Sequence, residues 1–322
     1  MKLKISKNDL RNEFNTLQNS RFMGVKGVLQ IDSGKSGPVF GITVCTHGNE
    51  LAGLATVHYL INIYKIKKKL MNGSLIIAVN NLRACKRALD AKNEVGRLKS
   101  RYIDMNMNRL PERMVNVNNK NQYEIRRAKS LMPIWKMFDI AIDIHSTIQD
   151  NQPMVIARTN LNYGLIKDFP IDILITNIDK VQCGIPPAFG FYGVNKNIQT
   201  IGIEAGQHDS KKSHETAIKC VLSMLKKKGM IASKQSGLKY KIFREYRIFD
   251  SVVFANRNSR LSRVLRDFET VRKGELLAIA DNKNIYAPSD CCIMMAPKGI
   301  KPVKIHEEVI FLSMPMIKRI IK

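Results

Sequence analysis

Apolar residues along the chain recur with two periods, and the switches between them mark out the elements. Residues 22–32 (FMGVKGVLQID) and 38–46 (PVFGITVCT) read as strands separated by the turn-rich SGKSG. From Leu51 onward, Leu51, Leu54, Val57, Leu60, Ile61 and Tyr64 fall at helical spacing, which predicts a helix ended by Gly73. Another buried strand is predicted at 74–80 (SLIIAVN), followed by a polar, basic stretch over 81–122 without clear periodicity. A loop of that length in a compact domain is more often functional than idle. Residues 123–137 look helical, with Pro133 tolerated only near a kink or an end. A strand over 138–144 (FDIAIDI) delivers His145, short strands are expected at 154–157 and 173–176, and 200–203 runs into Glu204-Ala205-Gly206 before a helix over 214–228. Strands alternating with helices imply an α/β domain with a mostly parallel or mixed sheet, whose site gathers at the carboxyl ends of its strands. His47, His145 and Glu204 each follow a predicted strand.

Past the Gly-, Ser- and Lys-rich stretch 229–239 the pattern changes to short strand-like runs with turns at Lys273-Gly274 and Pro288-Ser289-Asp290. The division expected is therefore a catalytic domain over 1–235 and a small all-β domain over 236–322. Residues 271–296 look like a barrel-sandwich of the biotinyl/lipoyl type. A carrier role does not follow, because a carrier presents a lysine at the hairpin tip and Ser289-Asp290-Cys291-Cys292 occupies that region.

Composition narrows the function classes. With 322 residues, 44% hydrophobic and 25% charged, the chain matches a soluble globular protein with a sizeable core. The start MKLKISKNDLRNEF lacks the apolar run of a secretory or membrane segment, and the six cysteines show no C-x-x-C spacing. A cytoplasmic protein with reduced thiols and no membrane attachment is expected. The net charge of +26 raises nucleic-acid binding, but the lysines are scattered and no stripe interleaves them with aromatics. No nucleic-acid partner is expected; a positive field also draws small anions into a cleft. The oligomeric state is left open, a homo-oligomer included.

The chemistry sits at the strand ends. A catalytic zinc site needs three protein ligands and an open position for water. His47 and Glu50, three apart at a strand–helix junction, can bend toward one point, and His145 from another strand can complete the tripod. Such an ion acidifies water and polarises a carbonyl, and Glu204 can take the proton and pass it to a leaving amine. A lone H-x-x-E arises often by chance. Its coincidence with Asp143-Ile144-His145 and Glu204 is hard to obtain from packing alone. The remaining histidines carry blander readings: His208 as a hydrogen-bonded loop residue, His58 on a helix face, His214 at a helix start, and His306 in KIHEEV without an obvious partner.

The segments HGNE (47–50), RYIDMNMNR (101–109), DIHST (143–147) and GIEAGQH (202–208) resemble, in order, those of the succinylglutamate desuccinylase/aspartoacylase family of the zinc carboxypeptidase superfamily. The resemblance spans about 38 to 210. It implies a zinc-carboxypeptidase-like mixed sheet flanked by helices, with a C-terminal β domain. One zinc ion per chain would be held by His47, Glu50 and His145, with Glu204 as general base and then acid. Arg101 would support the oxyanion, Asn108 and Arg109 would grip a substrate carboxylate, and Asp143 would orient a ligand histidine. The activity implied is hydrolysis of the amide bond of a small anionic N-acyl amino acid or related N-acyl amine. Two departures stand out. Asn106 replaces the family's common aspartate, and no arginine precedes Glu204 to read a second carboxylate, Lys196 being the nearby cation. The rival readings are a carboxypeptidase-like or N-acetyl-diaminobutyrate-type deacetylase with the same metal site, a basic nucleic-acid-binding protein on a vestigial hydrolase fold, and a noncatalytic scaffold.

Overall fold

The computed structural model describes residues 4–111, 121–148, 150–158, 161–184, 198–233, 237–280, 282–297, 299–300 and 305–322. Helix α1 (Lys7–Asn19) opens the chain and is closed at its start by a capping box between Ser6 and Asp9. Two short strands, β1 (Arg21–Phe22) and β2 (Val25–Lys26), lead into β3 (Val28–Asp32) and β4 (Val39–Val44), and helix α2 (Ala52–His58) follows the second of these. Next come β5 (Ser74–Val79), α3 (Leu82–Asp90), α4 (Glu94–Leu98), α5 (Tyr123–Trp135) and β6 (Ile140–Thr147). Then follow β7 (Met154–Ala157), β8 (Ile173–Thr176), α6 (Ile178–Val181), β9 (Gln199–Gln207) and α7 (Lys211–Lys227).

These strands form the body of a large mixed sheet in the order β8-β7-β9-β6-β4-β5-β3. Pairs β4–β5, β4–β6, β6–β9 and β7–β8 are parallel, while β3–β5 and β7–β9 are antiparallel. All six residues of β5 are buried, as a strand covered by helices on both faces requires. Its side chains alternate between two cores: Leu75, Ile77 and Val79 pack with the α2 and α7 side, and Ile76 and Ala78 pack with Ile125, Leu131 and Trp135 of α5. Gly41 on β4 leaves room for a ring, since a Cβ there would lie 2.4 Å from Phe138.

The long strand β10 (Lys241–Val253) carries the sheet onward. Arg244 to Arg247 pair in parallel with β8, and Ile248 to Val253 pair with β16 (Glu308–Ser313). Its other edge partner near the start is β17 (Ile317–Ile321). Between them lie β11 (Arg260–Leu261), β12 (Thr270–Val271), β13 (Leu276–Ala280), β14 (Lys283–Tyr286) and β15 (Cys291–Met294). A separate core of Val252, Leu261, Leu277, Ile293, Ile310 and other apolar residues fills the space between these C-terminal strands.

Three expectations need correction. The helix beginning near Leu51 stops well short of Gly73: it passes into a π-helical turn over Tyr59–Ile63, and Lys65 takes a left-handed φ of 57°. The stretch 81–122 is not a bare loop. Asn81 and Asn93 each accept a hydrogen bond from a backbone N–H two positions into α3 and α4, and these capped helices are too short to show a clear apolar period. Finally, His145 and Glu204 do not follow their strands; β6 and β9 run past them. The boundary expected after residue 235 lies outside the described residues, as does Lys196. Among the described residues, no helix is long and apolar enough to cross a membrane.

Candidate metal centre and active site

The turn after β4 is built for close approach. Cys45 adopts a φ of 53°, and a Cβ on Gly48 would meet the backbone of Ala84 and Ser100 at 2.2–2.5 Å. The Gly48 N–H donates to Arg101 O over 2.9 Å, which seats the 100–101 segment against the motif. His47 and Glu50 then face inward before α2 begins. On the neighbouring strands, His145 of β6 and Glu204 of β9 are direct register partners.

Ligand atoms of His47, Glu50 and His145 lie within 4.8 Å of one another, and all three residues are buried. His47 Nδ1 sits 2.7 Å from Glu50 Oε1, and His145 Nδ1 sits 2.8 Å from Glu50 Oε2. Each ring has its other nitrogen anchored: His145 Nε2 on Asp143 Oδ2 at 3.0 Å, and His47 Nε2 on Asn106 Oδ1 at 2.9 Å. This is the arrangement in which an outer oxygen fixes the tautomer and leaves the inner nitrogen for a metal. Asp143 is itself held through Oδ1 by the hydroxyls of Thr43 (2.8 Å) and Thr46 (3.0 Å). Asn106 is oriented by donating to Glu307 Oε2 (2.8 Å) and accepting from Asn108 N (2.9 Å).

The charges favour a cation at the centre. Burial and the nearby Arg101 charge push His47 down to about 4, so its ring is neutral near pH 7. Burial works to raise the Glu50 carboxyl, but its neighbours His47, His145 and Arg101 outweigh it and hold Glu50 well below the usual range. For His145, burial opposes charging, yet Asp143 and Glu50 prevail and raise it well above an ordinary histidine. A neutral His47 has one ring proton for two oxygen acceptors, so with Nε2–H on Asn106 its Nδ1 lone pair faces the Glu50 carboxylate. A shared divalent cation resolves that opposition. Two imidazole nitrogens and a carboxylate are a donor set that suits zinc, and these residues fit it.

Around this group, Arg101 Nη1 donates to Glu50 Oε1 at 2.7 Å, while its buried Nε has no partner. Glu204 is half-buried, and its buried Oε2 likewise has no hydrogen-bond partner. Burial, with the Glu50 charge second, pushes its carboxyl up to about 7. An orphaned carboxylate oxygen beside the cluster is what a proton acceptor for water needs. Asn108 leaves its side-chain oxygen buried and unpartnered. Arg109 is engaged: Nε and Nη2 both donate to Glu308 Oε2, at 2.8 and 2.5 Å.

Three carboxylates that sequence reasoning missed brace the site. Glu124, in the first turn of α5, accepts from Ile103 N (2.7 Å), Asp104 N (3.1 Å), Met105 N (3.2 Å) and Asn81 Nδ2 (2.9 Å). Glu307 and Glu308 reach Asn106 and Arg109 from the other end of the chain. Their only signal was an acidic pair at the start of an apolar run, VIFLS. His208, expected as a hydrogen-bonded loop residue, bonds Ser146 Oγ at 2.9 Å and stands 3.3 Å from Asn49 Nδ2.

Comparison with known proteins places this geometry. The succinylglutamate desuccinylase/aspartoacylase catalytic domain matches residues 36–214. No curated protein matches the chain. Among solved structures, succinylglutamate desuccinylase from Vibrio cholerae is similar with a TM-score of 0.64 at 14% identity, over 91% of this chain and 89% of that one. The succinylglutamate desuccinylase from Chromobacterium violaceum gives a TM-score of 0.64 at 15% identity, over 97% and 98% of the two chains. A product-bound structure of the ectoine utilization protein EutE (DoeB) from Ruegeria pomeroyi gives 0.59 at 18% identity, over 89% and 88%. At such identities the likeness is one of fold. The matched stretch takes in more than half of the chain and all of His47, Glu50 and His145, and the chain belongs to the succinylglutamate desuccinylase/aspartoacylase family.

Proposed function

We propose that this chain is a zinc-dependent hydrolase that cleaves the amide bond of an N-acyl amino acid or a related small N-acyl amine, with one zinc ion per chain. The observation that carries the reading is the meeting of His47, Glu50 and His145 beside an unpartnered Glu204 oxygen. Family membership, and the desuccinylase fold of the neighbours, support it. Bound zinc supplies Lewis acidity toward water and the acyl carbonyl. Glu204 accepts a proton from the attacking water and delivers it to the amine nitrogen as the carbon–nitrogen bond breaks. Arg101, adjacent to the cluster, turns its free donors toward the negative charge that develops on the carbonyl oxygen. Asn108 contributes a polar contact to the substrate, and Asp143 keeps His145 in register. A reducing cytoplasmic setting is part of the proposal, supported by six free cysteines.

Metal analysis with a panel of N-acyl amino acids and N-acyl amines tests it. Glu204→Gln is expected to keep the metal and lose on the order of 10²–10⁴-fold in kcat, the range for a general acid–base residue. His145→Ala is expected to lose both metal and turnover. Zinc held by His145→Ala at wild-type affinity would defeat the assignment.

A further inference from the structure

The metal cluster leaves the net charge of +26 unaccounted for. Lysines that look scattered along the sequence are gathered by the fold at one end of the sheet. Helix α2 runs into the π-helical turn over Tyr59–Ile63, and the left-handed Lys65 turns the chain into the lysine run 65–69. Just beyond that run, Met71 N donates to Met230 O over 2.8 Å and Asn72 Nδ2 to Gly229 O over 2.9 Å. The run 226–228, at the end of α7, therefore stands beside the run 65–69. Lys35 joins them, since Gly73 N donates to its carbonyl over 3.0 Å. Every lysine in these three places is exposed. Among the described residues, the lysine ion pairs are those of Lys86, Lys211 and Lys241, so these charges meet only water. Ile63 and Met71, 49% and 50% exposed, stand among them. The patch lies where β4 and β5 begin, at Val39 and Ser74, whereas His47 lies past the far end of β4. It is thus at the opposite end of the sheet from the metal cluster.

We propose that this end of the molecule docks on an anionic lipid surface, with the two lysine runs against the headgroups and Ile63 and Met71 entering the boundary beneath them. Charge complementarity drives the contact: the negative surface of a bilayer attracts each lysine near it, and clusters of this kind hold proteins at membranes. Apolar tips within a basic cluster favour a bilayer over a nucleic acid, because they gain from the boundary of headgroups and acyl chains and nothing from phosphates. The three segments hold no arginine, whose fork suits phosphates and base edges. Nor is the Tyr64 ring open to a base, since it stacks with Tyr59 at 6.3 Å between centroids and carries Lys69 Nζ 4.0 Å over it. The macrodipole of α7 accounts for Lys226 and Lys227 in its last turn, but not for the second run brought beside them. The expectation of no membrane attachment rested on the lack of an apolar run, which docking at a surface does not require.

Co-sedimentation of the full chain with vesicles of phosphatidylcholine, alone or mixed with phosphatidylglycerol, tests this at about 0.15 M salt. Binding is expected to the mixed vesicles only, and to weaken as salt rises. Lys67→Gln/Lys68→Gln/Lys227→Gln is expected to lower the partition coefficient on the order of a hundredfold, about fivefold for each lysine at the surface. Ile63→Ser/Met71→Ser is expected to lower it about tenfold, the effect of two half-buried apolar side chains. All five positions are exposed and remote from the metal cluster, so circular dichroism and zinc affinity should stay at wild type and report that the variants are folded. The proposal is overturned if the chain ignores the mixed vesicles, or if either variant binds them as wild type does. Displacement from the vesicles by duplex DNA at equal phosphate concentration would also overturn it and assign the patch to nucleic acid.

Discussion

His145 holds more protons than a metal ligand can keep. Its ring is raised well above an ordinary histidine because Asp143 and Glu50, one on each nitrogen, outweigh the effect of burial. A ligand nitrogen must be bare, so metal uptake has to expel the Nδ1 proton. His47, held down at about 4, has none to expel near neutrality. Because the His145 value is raised, protonation and metal compete everywhere below it, and the competition eases only as pH rises through it. Below the raised His145 value, zinc binding to the metal-free protein is expected to release a proton from that ring. Over the same range, affinity should fall by about tenfold per unit of added acidity. Titration calorimetry in buffers of different ionisation heat measures the release; a value of zero would mean that zinc does not bind His145. These residue identities were legible beforehand because the four chemistry-bearing side chains cluster in short motifs. Asn106 was legible only as a departure. That its amide takes the place opposite His47 that Asp143 takes opposite His145 depends on Glu307, 201 positions away, and no local pattern reports such a pairing.

The turn that brings Arg101 and Asn106 to the cluster has no regular structure to hold it, and one carboxylate gathers its middle. Glu124 accepts three consecutive backbone N–H groups, from Ile103, Asp104 and Met105, and a side-chain N–H from Asn81. It is fully buried, so those donors have no water to fall back on. Glu124→Gln replaces one acceptor oxygen with a donor and sets N–H against N–H. Hydrogen bonds to a charged group contribute about 1.5–3 kcal/mol each, and an unmet buried donor costs about 1–3 kcal/mol. A loss of about 2–4 kcal/mol in denaturant unfolding is expected, along with weaker zinc binding as Asn106 shifts off His47. An unfolding midpoint within error of wild type would show that the turn holds itself. Strands in this part of the chain were plain in the sequence because β4 and β5 are mostly apolar and β6 opens on the apolar run Ile140-Ala141-Ile142. Helices α3 and α4 were not, since each owes its start to an asparagine cap more than to a stripe of apolar positions.

At the scale of the whole molecule, β10 decides how the C-terminal strands meet the catalytic sheet. The change from mixed α/β to all-β pattern near 229–239 was visible, but strand partners are chosen across more than 60 residues and leave no trace in periodicity. Glu245, 1% exposed at its side chain, is the polar peg of this junction: Thr176 of β8 donates to it at 2.9 Å and Arg319 Nε of β17 at 2.5 Å. Burial pushes the Glu245 carboxyl up, but the Arg319 and Thr176 hydrogen bonds and the Arg319 charge prevail and lower it. A lowered carboxyl contributes stability that is in full force above the unfolded value of about 4.3 and fades as pH falls through the folded one. Arg319→Ala removes the main cause, so the Glu245 carboxyl should rise and acid unfolding, followed by circular dichroism, should begin at higher pH than in wild type. Since Arg319 is 30% exposed, solvent screening limits the loss near pH 7 to about 1–2 kcal/mol. The acid limb is the discriminating measurement. If Glu245→Gln flattens the difference between Arg319 and Arg319→Ala below about pH 5, the ion pair is what joins β17 to β10. If the difference survives in that background, apolar packing of Ile321 and the strand ladder hold the junction without it.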